Sequence, residues 1–270
     1  MQELTSPSER ASLLVAEDDP DLRAILQEIL SEEGYAVTPA DTQGEALVRI
    51  EEATFALILT DLFEKPFNDP LASARVLQQR AFPTPVAVMT AWTLDQRAVE
   101  SARLACVIPK PFDFQDLLSC VASALDLRFS PDQERRAEVV RRYIAALDTQ
   151  DWDALLALCA PDVSFTRPAT PLKPTPQTVT GVAELRAQRE AIVRHIPGVR
   201  YEAIRVFPQP EGLAARYVMR IPAPGGQDET LGTALLFQFA GERISAIGAR
   251  VNSERLALVI EAQPNAWDVP

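Results

Sequence analysis

Short apolar runs alternate with amphipathic stretches through the first half of the chain. The apolar runs 12–16, 35–38, 55–60, 85–89 and 105–108 read as strands. Between the first two, Leu22, Ile25, Leu26, Ile29 and Leu30 recur with a 3.6-residue period, the stripe of an amphipathic helix. Pro20 and Asp21 suit its start, and Gly34 suits a left-handed cap at its end. Strands alternating with helices predict a five-stranded, doubly wound parallel sheet of flavodoxin-like type. The pattern changes near Ser130-Pro131-Asp132, which both ends the previous helix and starts a new one. A long helix is expected over QERRAEVVRRYIAALDTQ, with Val140, Tyr143, Ile144 and Leu147 on one side and Arg135, Arg136, Arg141 and Arg142 on the other. A short helix at 152–159, the strand VSFTR, a Pro/Thr-rich loop and a helix at 182–195 follow. Four strand-like runs, 199–207, 213–221, 230–239 and 243–252, are separated by the turns PQPEG, PAPGGQD and AGE. Strands joined by short turns form an antiparallel meander. Helices followed by such a meander predict an α+β cone with a curved antiparallel sheet.

A chain of 270 residues suits two domains, and an apolar fraction of 47% is enough for two cores. The boundaries expected are a flexible start at 1–10, a first domain at 11–128, a linker at 129–134, the cone at 135–258 and a tail at 259–270. No apolar stretch is long enough to cross a membrane, and MQELTSPSER lacks the apolar core of a secretory signal. Cys106, Cys120 and Cys159 have no metal-ligand spacing and are expected as buried reduced thiols. These features predict a cytoplasmic protein that is not held at a membrane. The net charge of −12 is uneven: residues 1–128 carry 10 basic and 21 acidic side chains, residues 129–270 carry 16 and 17. Neither half has the basic excess of a nucleic-acid binder, so no nucleic-acid partner is expected.

Four groups lie just past the ends of the predicted strands. They are Glu17-Asp18-Asp19 after SLLVA, Asp61 after FALILT, Thr90 after PVAVM, and Lys110 within VIPKPF. Open parallel sheets bind ligands at the carboxyl ends of their strands. This set of residue types is what a carboxylate needs to accept a phosphoryl group. One aspartate is the nucleophile, other carboxylates hold a divalent cation, and a hydroxyl and an ammonium meet the product oxygens. Any one of these acids alone would read as solvated surface; their common phase with the strands argues for a site.

The stretches LLVAEDDPDLR, ALILTDL, VAVMTAW and VIPKPF resemble the receiver domain of two-component response regulators, over residues 12–125. The resemblance implies Asp61 as phosphoacceptor, Asp18 and Asp61 as ligands of Mg2+, Glu17 as part of the acidic metal pocket, and Asp19 as a substitute for Glu17 or Asp18. It implies Thr90 as switch hydroxyl, Lys110 as the phosphate-binding lysine, a cis Lys110–Pro111 bond, and the Phe63 backbone carbonyl as a further cation ligand. Val107 stands where many receivers carry an aromatic residue, and LFEKPFNDP replaces the common loop after the phosphoacceptor. The implied partner is a sensor histidine kinase or phosphotransfer protein.

RRYIAALDTQDWDALLALCAPDVSFTRPA and LLFQFAGERISAIGARVN resemble the SnoaL-like and ketosteroid-isomerase-like group of the nuclear-transport-factor superfamily, over about 135–256. In the isomerases of that group a tyrosine and two carboxylates carry the reaction. Their positions fall on Tyr143, Arg167 and a site near Leu235. An arginine cannot serve as a base, so isomerase chemistry is not expected. Tyr143 and Arg167 remain candidates for lining a cone pocket, with an apolar or anionic small molecule as ligand. His195, at a helix end, is expected to cap or to lie exposed. The reading is a phosphorelay response regulator whose cone is a non-DNA-binding output that binds a small ligand or a protein, with a homodimer as one form. The alternative is a receiver-gated cyclase, isomerase or hydratase.

Overall fold

The computed structural model describes residues 11–61, 71–126, 129–169, 174–223, 227–252 and 254–256. The chain divides into two compact units, with the main change-over after Asp126. The expected flexible start at 1–10, the tail at 259–270 and Phe63 lie outside the described residues.

The first unit runs β1 (Ser12–Ala16), α1 (Pro20–Glu32), β2 (Ala36–Ala40), α2 (Gln43–Glu52), β3 (Leu57–Asp61), α3 (Ala72–Ala81), β4 (Val86–Thr90), α4 (Gln96–Ala102), β5 (Cys106–Pro109) and α5 (Phe114–Leu125). Its five strands are all parallel, in the order β2-β1-β3-β4-β5. The central strands β3 and β4 are buried on both faces, which is why LILT and VAVMT read as unbroken apolar runs rather than alternations. Leu26 and Leu30 of α1 pack into the core with Leu13, Val15, Leu57 and Leu59. Ile25, placed in the same stripe by periodicity, is 42% exposed and sits at its edge. Gly34 has φ +88°, the left-handed conformation expected after α1.

One expectation about the cysteines is overturned. Cys106 on β5 and Cys120 on α5 form a disulfide, with Cα atoms 6.0 Å apart; Cys159 is free and buried. The packing of α5 on β5 brings the pair together, and a spacing of 14 residues in sequence carries no trace of it.

The second unit runs α6 (Pro131–Thr149), α7 (Trp152–Ala157), β6 (Cys159–Arg167), β7 (Gln177–Thr180), α8 (Val182–His195), β8 (Arg200–Gln209), β9 (Gly212–Ile221), β10 (Glu229–Ala240) and β11 (Arg243–Val251). Residues 131–134, assigned by pattern to a linker, form the first turn of α6. Ser130 and Gln133 close a capping box there, with Pro131 at the first helical position. The sheet order is β7-β6-β11-β10-β9-β8. Its pairs are antiparallel except β6 with β11, so the sheet is mixed rather than wholly antiparallel. The strand β7 was hidden in the loop because QTVT is too short and polar to stand out. The β8–β9 hairpin closes on Gly212 (φ +152°), where a Cβ would collide with the Phe237 carbonyl. The core gathers Tyr143, Ile144 and Leu147 of α6 with Phe165, Tyr217, Leu235, Phe237 and Ile247 of the sheet. Arg136, on the outer side of α6, lies 5.2 Å over the Phe239 ring and donates to the Gly241 carbonyl.

Asp148 ties α6 to β8. It accepts from the Tyr201 amide at 2.9 Å and from both Nε and Nη2 of Arg200. Partial burial works to raise its pKa, but the Arg200 and Tyr201 hydrogen bonds and the Arg200 charge outweigh it and hold the carboxyl below the ordinary aspartate range. A depressed folded pKa stabilises the fold above the unfolded value, and the gain disappears as pH falls through the folded one. Asp148→Ala is therefore expected to cost about 1–2 kcal/mol at neutral pH. In denaturant titrations of both proteins, the difference should shrink once pH drops below the aspartate range.

Candidate functional site

The site stands at the carboxyl edge of the parallel sheet, where strand register fixes its parts. Ala16 pairs with Thr60, Asp61 with Met89, and Thr90 with Pro109. Glu17, Asp61, Thr90 and Lys110 therefore leave their strands at one level.

Lys110 joins two of the acids. Its Nζ donates to Glu17 Oε2 at 2.8 Å and to Asp61 Oδ2 at 2.8 Å. Glu17 is 1% exposed, whereas Lys110 and Asp61 each keep 20% exposure at the mouth. Oxygens of Glu17, Asp18 and Asp61 come within 4.8 Å of one another. Asp19, open as an alternative ligand from sequence, has another task. Its Oδ1 accepts from the amides of Asp21 and Leu22 and caps α1. Those two hydrogen bonds hold its pKa below the usual range. The acidic triplet is thus split between a buried acid, a pocket acid and a helix cap.

Thr90 is buried at the end of β4. Its Oγ1 accepts from the Trp92 amide at 3.1 Å, and its carbonyl accepts from the Lys110 amide at 2.7 Å. The Lys110–Pro111 bond is cis. Arg23 was not picked out by pattern. One turn into α1, its Nη1 donates to the carbonyls of Glu17 at 2.7 Å and Asp18 at 3.3 Å and pins the acidic loop. Its place on the outer side of an amphipathic helix gives no sequence cue to that contact.

Charge balance decides what fits among these groups. Three carboxylates face one ammonium. Burial raises the pKa of Glu17, and the Lys110 hydrogen bond and charge offset this only in part. Burial also works to lower the pKa of Lys110, yet the Asp61 and Glu17 contacts hold it above the ordinary lysine range. An all-oxygen donor set short of positive charge suits a hard divalent cation, and Mg2+ needs only one or two carboxylates beside water and phosphate oxygens.

The candidates in the second unit are not brought together. Tyr143 is fully buried and its hydroxyl meets Arg189. Arg167 pairs with Gln177 and lines an open cleft of about 420 Å³ with Ser164, Thr166, Leu236, Gln238 and Arg250. Leu235 is buried in the core, so the position carries no acid. Arg189, which sequence reading passed over, is one of two buried arginines described in this unit, with Arg216 on β9.

Comparison with known proteins agrees with both halves. Residues 13–122 match the response regulator receiver domain family, and residues 140–247 match the SnoaL-like domain family. Among curated proteins, the chain is 30% identical over 133 residues to the transcriptional regulatory protein ZraR of Escherichia coli K12, and 32% identical over 127 residues to the response regulator protein PilR of Pseudomonas aeruginosa. The alignments take in 48% and 46% of this chain but only 30% and 28% of those proteins. Solved structures similar to parts of the chain include response regulator TrrA of Thermotoga maritima in complex with Mg2+ and BeF, at 27% identity and TM-score 0.38, covering 43% of this chain and 99% of that one. Another is an NTF2-like protein of unknown function from Burkholderia pseudomallei, at 22% identity and TM-score 0.41, covering 48% and 98%. No helix among the described residues is long and apolar enough to cross a membrane. The chain joins a response regulator receiver domain to a SnoaL-like domain.

Proposed function

We propose that this protein is a phosphorelay response regulator that takes a phosphoryl group on Asp61 and passes the signal to its SnoaL-like unit, which binds a small ligand. The observation that carries the reading is the Lys110 ammonium held at 2.8 Å from both Asp61 and Glu17. The phosphoryl donor is a sensor histidine kinase or phosphotransfer protein.

The residues divide the chemistry between them. An Asp61 carboxylate oxygen attacks phosphorus, the donor's bond to phosphorus breaks, and an acyl phosphate forms on Asp61. Asp18, Asp61 and Glu17 would hold Mg2+, which supplies neutralisation of charge on the transferring oxygens. Lys110 already touches the Asp61 carboxylate, so its ammonium is placed to exchange that contact for a phosphoryl oxygen. Thr90, at the end of the neighbouring strand, offers a hydroxyl whose present role is to accept from the Trp92 amide. Turning that hydroxyl toward a phosphoryl group releases the Trp92 amide and moves the start of the β4–α4 segment. The modification adds a charge of about −1.5 to −2 at a site already rich in acids, so the loop geometry around it has to respond.

Acetyl phosphate serves as donor in the direct test. With Mg2+ present, intact mass should rise by one phosphoryl group, and the adduct should be labile to hydroxylamine. Asp61→Asn or removal of Mg2+ with EDTA should abolish it; undiminished labelling of Asp61→Asn refutes the assignment. Calorimetric titration should show Asp18→Asn binding Mg2+ about tenfold or more weakly, since it removes one of the few anionic ligands. Lys110→Met should cost about 2–3 kcal/mol in denaturant unfolding of the first unit, somewhat under the fully buried range because the pair is partly exposed. Adding Glu17→Gln should recover part of that loss, because the stranded charge is then gone.

A further inference from the structure

The interior of the SnoaL-like unit holds a positive charge that has no carboxylate partner among the described residues. Arg189, on the core side of α8, is 6% exposed. Its Nη2 donates to the Tyr143 hydroxyl at 2.9 Å. Its guanidinium lies 4.1 Å from the centre of the Phe165 ring and 5.9 Å from that of Tyr143. Its Nε is buried and donates to nothing among the described residues. No described carboxylate forms an ion pair with it, and the acids that feel its charge are tyrosines and a cysteine.

Those neighbours do not supply the missing anion. Burial raises the pKa of Tyr143, Tyr201 and Tyr217 above the usual phenol range, and the opposing pull of Arg189 does not reverse it. Burial likewise pushes the Cys159 thiol up to about 11. All four stay protonated at neutral pH, while a guanidinium stays charged. A buried charge that lacks both a counter-ion and most of its hydrogen bonds is costly. In a native structure such a group calls for a bound partner.

We propose that Arg189 and Tyr143 form the anchor of a binding site for a small organic monocarboxylate inside the SnoaL-like unit. The fork of Arg189 has free donors for a carboxylate. The Tyr143 oxygen already accepts from Arg189, which leaves its own O–H to donate to the same anion. Phe165, Tyr201 and Tyr217, the last two meeting edge to face at 5.7 Å, make the surroundings of this pair aromatic, which suits an acid with an apolar body. A single cation among aromatic rings suits a singly charged acid better than a phosphate. The site lies within the second unit alone and is separate from the open cleft at Arg167. It deepens the reading of that unit as a ligand binder, and it does not depend on phosphorylation of Asp61.

The test titrates the full chain with acetate, benzoate and phenylacetate, and with neutral benzamide as control, by calorimetry and thermal melting. At least one aromatic acid should bind saturably and raise the melting temperature, with benzamide about tenfold or more weaker, the loss expected for a charge-assisted pair. Arg189→Met, checked for folding by circular dichroism, should lose the response to acids yet melt no lower than wild type without ligand. Tyr143→Phe should bind about five- to tenfold more weakly, the value of one hydrogen bond. Asp61→Asn should bind the acid as wild type does, so a failure of phosphorylation leaves this result intact. Three outcomes would overturn the proposal. They are no acid binding to wild type, equal binding of benzoate and benzamide, or an Arg189→Met protein that melts lower without ligand and still responds to acids.

Discussion

The first unit depends on one ammonium placed between two carboxylates. Without Lys110, Glu17 would be a buried anion beside a second anion, and the carboxyl edge of the sheet would repel itself. With it, part of the negative charge is balanced, and the remaining excess suits a divalent cation. The geometry follows from the sheet: β1, β3 and β5 run parallel, and their last residues end level. An antiparallel arrangement would have sent Glu17, Asp61 and Lys110 to opposite edges. The same arrangement explains why Arg23 and Asp19 matter although neither faces the pocket. Arg23 binds the carbonyls of Glu17 and Asp18, and Asp19 caps α1, so the acidic loop is fixed from both sides.

Much of the first unit is legible in the residues because a buried parallel strand has a plain signature. FALILT and PVAVM are apolar on both faces, and the chemistry follows each of them directly. What pattern does not carry is the division of labour within Glu17-Asp18-Asp19, since adjacent acids look alike until the helix start is placed. It also does not carry the Cys106–Cys120 bond, which arises from how α5 packs on β5. In the second unit the meander was visible because its strands are long and its turns rich in proline and glycine. The parallel β6–β11 pair was not, because pairing between strands far apart in sequence leaves no local mark. The first turn of α6 was mistaken for linker because proline and aspartate announce a helix start and a loop with the same letters.

Arg189 shows the same limit at the position proposed to hold a ligand. The segment VAELRAQREAIVRH has seven polar or charged residues among its fourteen, and nothing in the letters sets one of its three arginines apart. Only the fold reveals that one of them turns inward onto Phe165 and Tyr143. Periodicity put Tyr143 on the apolar side of α6, where it is buried, but could not name Arg189 as the partner of its hydroxyl. Arg167, by contrast, was matched to a family position and meets Gln177 instead. The two units thus use a similar device in opposite senses. One gathers carboxylates around too little positive charge, and the other buries a guanidinium that meets no carboxylate among the described residues. Each imbalance is a reason for a ligand, a cation in the first and an acid in the second.

The most direct measurement is a crystal structure of the full chain grown with Mg2+ and beryllofluoride, a mimic of the phosphorylated aspartate. The account predicts the fluoride adduct on Asp61, the ion in contact with Asp61 and Asp18, and the Lys110 ammonium moved onto a fluoride. An adduct on another carboxylate, or an ion bound away from Glu17, Asp18 and Asp61, would contradict it.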